Sequence, residues 1–324
     1  MKVGIIFPGY GSQFVGMGKE FYDSSRIMQE MFEEASQCLD VNFPKLCFAS
    51  SAAELAKFEK GYVVLFATTF AIAQIMKERG ITVSLVAGYD IGEYAAIATA
   101  GGISLPDALY LLNKYAGMFE ELLQEKKYEA VRVKGLLEEE LKKICSFCTN
   151  GNQVSYVAAQ ELEDQYVVVG TEDSMKMLID HLKKNTEAQV TPALIGSGLH
   201  SPLMDDVLKK IKMYLEKVDF KSVSIPFVAS ITGQVLKDGD AVRAAVMQQI
   251  HAPLRWQETM QAFVYCDVIV TLGDCGLTRE LCAHLYPEKK LFCITKPEDL
   301  DELMKLCGTI CCNEDELNKD GLHS

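Results

Sequence analysis

"AGYDIGEYAAIATAGGIS" (residues 87–104) is the stretch on which the reading of this chain turns. Gly88 and Gly92 frame Tyr89, Asp90 and Ile91, so the frame is G-x-S-x-G with its middle letter changed. The apolar run "TVSLVAG" (82–88) precedes it and the small-residue helical pattern "GEYAAIATAG" (92–101) follows it. A strand that turns sharply into a helix needs glycines where a Cβ would clash, and it holds its middle residue at the top of a sheet. That residue is normally a nucleophilic serine. Here it is Asp90.

Outward from this turn, strand-like runs alternate with helical ones, the pattern of an α/β sheet. "KVGIIF" (2–7), "SIPFVAS" (224–230), "DVIVTL" (267–272) and "KLFCITK" (290–296) read as strands. "YVVLFATTFAIAQIMKERG" (62–80) reads as a buried helix ending at Gly80, and the 105–124 stretch as an amphipathic helix with proline in its first turn. Residues 128–196 read β-α-β-β-α-β, a ferredoxin-like order. Such a unit inserts readily into a larger domain because its ends lie close together. A helix over 201–218 then resumes the α/β pattern, and the tail after about Cys311 reads as loosely ordered.

Composition narrows the function classes. The net charge of −13 disfavours nucleic acid and anionic membranes as partners. No apolar run reaches the roughly 18–20 residues of a membrane span. "VGIIF" is too short for a signal core, so the expected location is the cytoplasm. The eleven cysteines then read as reduced thiols. Cys145 and Cys148 form a lone CxxC, and Cys307, Cys311 and Cys312 cluster near the end. Neither group has a histidine at ligand spacing, so no metal is expected.

Four segments together carry a family resemblance: "FPGYGSQFVGMG" (7–18), "GYDIGEYAAIATAGGIS" (88–104), "GSGLHSPLM" (196–204) and "QQIHAPLRWQETM" (248–260). In this order, around an inserted unit, the chain resembles the malonyl-CoA:acyl-carrier-protein acyltransferases of fatty-acid and polyketide synthesis. The resemblance implies an α/β-hydrolase-like large domain (1–126 and 198–324) with an inserted ferredoxin-like (βαββαβ) small domain (127–197) over the cleft. It implies no cofactor. The partners it implies are acyl carrier protein or a synthase subunit, with acyl-CoA as a further ligand, met by a monomer.

In that family serine attacks the malonyl thioester, a histidine is its base, and an arginine pairs with malonate's free carboxylate. By position, the serine is replaced by Asp90, the histidine before it by Tyr89, the arginine by Ala116 and the glutamine of P-G-Q-G by Tyr10. The two asparagines of the small domain fall on Ala159 and Glu161, and the late glycine-proline-glycine maps onto "GDCG" (273–276). His200 keeps the base position, Gln249 the supporting glutamine and Glu93 the elbow glutamate. The oxyanion hole implied by the family is formed by the main-chain N–H groups of Tyr10 and Ile91.

These changes have physical consequences. A helix N-terminus and a neighbouring His200 both favour the carboxylate form of Asp90. Attack of a carboxylate on a thioester gives a mixed anhydride with no energetic advantage. Asp90 also repels malonate: like charges about 5 Å apart cost roughly 3 kcal/mol at an effective dielectric near 20. Tyr10 and Tyr89 are large enough to fill part of the pocket. Glu161, Glu163 and Asp164 read either as a solvated loop or as added negative potential at the cleft. Three functions follow: a catalytically degenerate acyltransferase that binds a partner, an enzyme with altered Asp90/His200 hydrolase chemistry, or a residual malonyltransferase. In the first, His200, Gln249 and Glu93 have structural roles.

Overall fold

The computed structural model describes residues 1–194, 199–273 and 276–308. The readings placed on Gly196–Gly198, on Asp274 and Cys275, on Cys311 and Cys312 and on the tail lie outside them.

In chain order the strands are β1 (Val3–Phe7), β2 (Val83–Gly88), β3 (Tyr128–Lys134), β4 (Ser155–Leu162), β5 (Gln165–Thr171), β6 (Gln189–Pro192), β7 (Phe227–Val228), β8 (Val235–Leu236), β9 (Leu254–Arg255), β10 (Val268–Leu272) and β11 (Lys290–Ile294). They form two sheets, ordered β11-β10-β1-β2-β7-β8 and β6-β3-β5-β4-β9. In the first sheet the pairings from β11 to β7 are parallel, and only β7–β8 is antiparallel. Its central strands are covered on both faces: every residue of "VGIIF" and of "VIVTL" is buried. That burial explains why they read as unbroken apolar runs without alternation. The chain thus has the expected α/β fold.

Helix Phe58–Glu78 is buried almost all round, as its apolar sequence requires, and packs against helices Gly92–Thr99 and Leu105–Glu125. Gly92–Thr99 is wholly buried, and its small side chains let it approach β1 and β2 closely. Helix Leu105–Glu125 starts as its sequence predicts: Pro106 sits in the first turn and the Ser104 side chain accepts the Asp107 N–H.

The second sheet is antiparallel in β6-β3-β5-β4, with helices Glu138–Phe147 and Glu172–Asn185 between its strands in sequence. Its fifth strand, β9, comes from the stretch "LR" well after the βαββαβ segment and pairs parallel with β4. Sequence periodicity gave no sign of it, because a two-residue strand has no measurable period. The expected strand over 224–230 shortens to β7, and the helix expected over 201–218 is a turn of 3-10 helix (Pro202–Met204) followed by Asp205–Leu215. The helices between Lys19 and Leu55, and those from Gly239 onward, were not anticipated from the sequence.

Candidate active site

Backbone sterics build the site. A Cβ on Gly88 would lie 2.0 Å from the Gly92 carbonyl carbon, and one on Gly92 would lie 2.5 Å from the Phe7 carbonyl oxygen. No side chain fits at either position, so β2 is bound to turn abruptly into helix Gly92–Thr99. Between them Asp90 adopts φ +53°, in the left-handed region. Aspartate tolerates that conformation better than most residues, because its short polar side chain bonds locally. His200 is also at positive φ, +24°.

Asp90 and His200 meet, as expected, and both are buried. Asp90 Oδ1 lies 3.3 Å from His200 Nε2, close enough for an ion pair although its angle falls short of a hydrogen bond. The other carboxylate oxygen, Oδ2, accepts the Tyr10 main-chain N–H at 3.3 Å. That N–H is one of the two donors expected to face a substrate oxyanion, and here the protein's own side chain occupies it. His200 Nδ1 lies 2.7 Å from the Gln249 carbonyl oxygen. A carbonyl can only accept, so Nδ1 carries a hydrogen. Nε2 is then the ring nitrogen left facing the Asp90 carboxylate. The Gln249 amide donates to the Asp90 carbonyl at 2.9 Å and to Ser230 Oγ at 3.3 Å. The Ser230 N–H donates to Glu93 Oε1 at 2.6 Å. Gln249 and Glu93 thus brace the elbow from behind.

The electrostatics follow from burial. Burial pushes the His200 imidazole down, but Asp90, the Gln249 carbonyl and Glu93 outweigh it and hold the imidazole above its usual value. Burial pushes Glu93 up to about 7, against the pull of its Ser230 hydrogen bonds and of His200. In both groups the folded value exceeds the unfolded one. Protonation therefore favours the fold at low pH, and that contribution fades as pH rises through the folded values. For Glu93 the window runs from 4.5 to about 7. Thermal unfolding midpoints should fall from pH 5 to pH 8, and Glu93→Gln should remove the lower part of that fall, worth about 3 kcal/mol. A midpoint that climbs over this range, or an unaltered slope in Glu93→Gln, would refute the assignment.

A pocket of about 260 Å³ opens beside the elbow. Its lining includes Gly9, Tyr10, Tyr89, Arg132, Glu161 and Trp256, and includes neither Asp90 nor His200. Tyr89 forms the wall next to Asp90. Its ring packs edge-on against Trp256 at 5.2 Å, and its hydroxyl donates to Glu161 Oε1 at 3.1 Å. The solvated-loop reading of Glu161 is corrected: this side chain is 1% exposed, on β4, and is gripped by both Arg132 and Gln165. Its charge is therefore balanced, and the expected excess of negative potential is absent at this residue. Arg132, Trp256 and Ser230 were not identified from the sequence. Arg132 reaches Glu161 across the whole width of β5, over Val167, a contact visible only once the strand order is known.

The arginine position, Ala116, is fully buried on helix Leu105–Glu125. Tyr115, next to it in the chain, belongs to a series of packed aromatic rings: Tyr10 on Phe58 and Tyr62, Tyr62 on Tyr115, and Tyr115 on Phe119. Tyr10 is further pinned by its hydroxyl, which donates to the Ala56 carbonyl.

Among the described residues no His/Cys/Asp/Glu group has the arrangement of a metal site. Cys145 and Cys148 are buried free thiols, and burial pushes Cys145 up to about 12. Cys293 on β11 is disulfide-bonded, which corrects the reading of the cysteines as uniformly reduced. No helix among the described residues is long and apolar enough to cross a membrane.

Residues 5–272 match the acyl transferase domain family. Similar curated proteins include the malonyl CoA-acyl carrier protein transacylase of Bacillus subtilis (strain 168), 26% identical over 93% of this chain and 95% of the relative. The Escherichia coli (strain K12) protein of the same name is 27% identical over 79% of this chain and 83% of its own length. The acyl-carrier-protein S-malonyltransferase of Burkholderia pseudomallei superposes with a TM-score of 0.84 at 26% identity, covering 94% of this chain and 100% of that one. A type II PKS acyl-carrier protein in complex with its malonyl-transacylase gives 0.88 at 24% identity, covering 94% and 100%, which is a likeness of fold.

Proposed function

The chain belongs to the acyl transferase domain family, and on that premise we propose that it has kept the binding half of a malonyl-CoA:acyl-carrier-protein transacylase and lost the transfer step. It binds acyl carrier protein or a synthase subunit, as a monomer in the cytoplasm, with residues 127–197 serving as a small domain over the cleft. The reading rests above all on Asp90: its carboxylate is buried, paired with His200, and fills the Tyr10 N–H that would stabilise a substrate oxyanion. With its Nδ1 hydrogen committed to the Gln249 carbonyl and its Nε2 facing the Asp90 carboxylate in place of a serine hydroxyl, His200 has no nucleophile to activate. Ala116, buried and uncharged, supports the same conclusion, since it supplies no cation where the family's arginine would meet malonate.

The hydrolase alternative is less well supported. A nucleophilic or base Asp90 must reach substrate or water, and this carboxylate is sealed from the pocket. Residual malonyl transfer lacks the serine nucleophile and finds one of its two oxyanion donors, the Tyr10 N–H, already taken. The test is direct: incubate the protein with radiolabelled malonyl-CoA and acyl carrier protein, and separately measure its binding to the carrier. Binding without label transfer is expected. Turnover that disappears in His200→Ala would overturn the proposal.

A further inference from the structure

We infer that the Arg132–Glu161 pair sets the cargo class of the cleft: it accepts thiol arms that are free or carry an uncharged acyl group, and rejects arms that end in a carboxylate. This rests on the proposal that a carrier's thiol arm enters the pocket. Among the described residues lining the pocket, Arg132 and Glu161 alone carry formal charge. Arg132 is the cation that could receive a ligand carboxylate there, and Glu161 takes two of its N–H groups, one of them at 2.8 Å from Nη2. Glu161 is itself 1% exposed and is also bonded by Tyr89 and Gln165. It cannot swing away to make room, because a buried carboxylate left without its partner is costly. A ligand carboxylate entering the pocket therefore meets a guanidinium already neutralised, loses its hydration, and gains no counter-charge. An uncharged arm meets a wall of Tyr89, Trp256 and Val167, with the outer N–H groups of a half-exposed Arg132 still able to donate to a carbonyl.

The pair also holds a latent specificity. Removing the charge of Glu161 while keeping its shape leaves Arg132 uncompensated at the same place. Glu161→Gln should then turn the pocket into one that prefers a carboxylated cargo.

Trp256, the single tryptophan of the chain, lies in the pocket wall and provides the readout. Coenzyme A, acetyl-coenzyme A and malonyl-coenzyme A differ only in cargo and are titrated against its fluorescence. In the unmodified protein, malonyl-coenzyme A should bind at least about tenfold more weakly than the other two, the scale of one uncompensated charge in a partly hydrated site. In Glu161→Gln that order should reverse, and in Arg132→Gln/Glu161→Gln the three should bind alike. Circular dichroism melts establish that each variant is folded, and the double variant separates loss of the cation from loss of the fold. Equal affinity for malonyl- and acetyl-coenzyme A in the unmodified protein, or an unchanged ratio in folded Glu161→Gln, overturns the inference while leaving arm binding intact. If none of the three binds, the arm does not enter the pocket and the inference fails, while the proposed function is decided by the direct measurement of carrier binding.

Discussion

Asp90→Ser, the change that restores the expected nucleophile, should give no malonyl transfer and should destabilise the fold by about 3 kcal/mol, the scale for breaking a buried ion pair on one side. Three losses combine. His200 keeps its Nδ1–H on the Gln249 carbonyl but loses the acceptor facing Nε2. The Tyr10 N–H loses the carboxylate oxygen it donates to. Burial, which alone pushes His200 down, is no longer outweighed by Asp90, so the imidazole should fall below its ordinary value. Urea denaturation measures the first effect, and the imidazole Cε1–H resonance followed against pH measures the second. Asp90→Asn is the control, since it keeps the shape and an acceptor for Tyr10 while removing the charge. A serine variant as stable as the original, with His200 still titrating high, would show that the pair does not hold the site together.

Ala116→Arg should be more damaging still. The position is fully buried within helix Leu105–Glu125, and Tyr115 and Phe119 of the same helix are buried with it. An arginine there combines overpacking with a buried unpaired charge, and a loss of about 4 kcal/mol or outright failure to fold is expected. Ala116→Met carries comparable bulk without charge and should cost less, about 1–3 kcal/mol. Soluble expression and thermal melts distinguish the two. The double variant Asp90→Ser/Ala116→Arg should stay inactive. If it folds and transfers malonate, the aromatic packing is no barrier and the site has lost only two residues.

The legible parts of this molecule were those fixed by short-range rules. Gly88 and Gly92 announced the turn because a Cβ there strikes backbone at close range. Buried parallel strands announced themselves as continuous apolar runs. Four spaced motifs then named the family, and the meeting of Asp90 and His200 followed from it. Contacts that depend on strand order or loop approach were not legible. Glu161 lies next to acidic neighbours in a stretch that looks like a solvated turn, yet its partner Arg132 is 29 residues away, on the far side of β5. The Tyr10 N–H reaches Asp90 across 80 residues because the chain after β1 folds over the elbow. Three of the helices between Lys19 and Leu55 are short and bury one or two residues each, too few for a helical period, whereas Arg26–Leu39 carries Met28, Phe32 and Ala35 at helical spacing, a signal that sequence reasoning missed.

The fit of the backbone around Gly88 and Gly92 bears on how such chains change over time. At these two positions the penalty for substitution is steric and immediate, and it is the same whether or not a reaction ever takes place between them. Position 90, two residues from each glycine, is under no such backbone clash, and the aspartate there faces His200. Selection for a foldable chain alone is therefore enough to preserve the motif's outer letters, with or without selection for turnover. In this fold the glycines record a shape the chain cannot abandon, and the residue between them is where the chemistry of the turn is free to change.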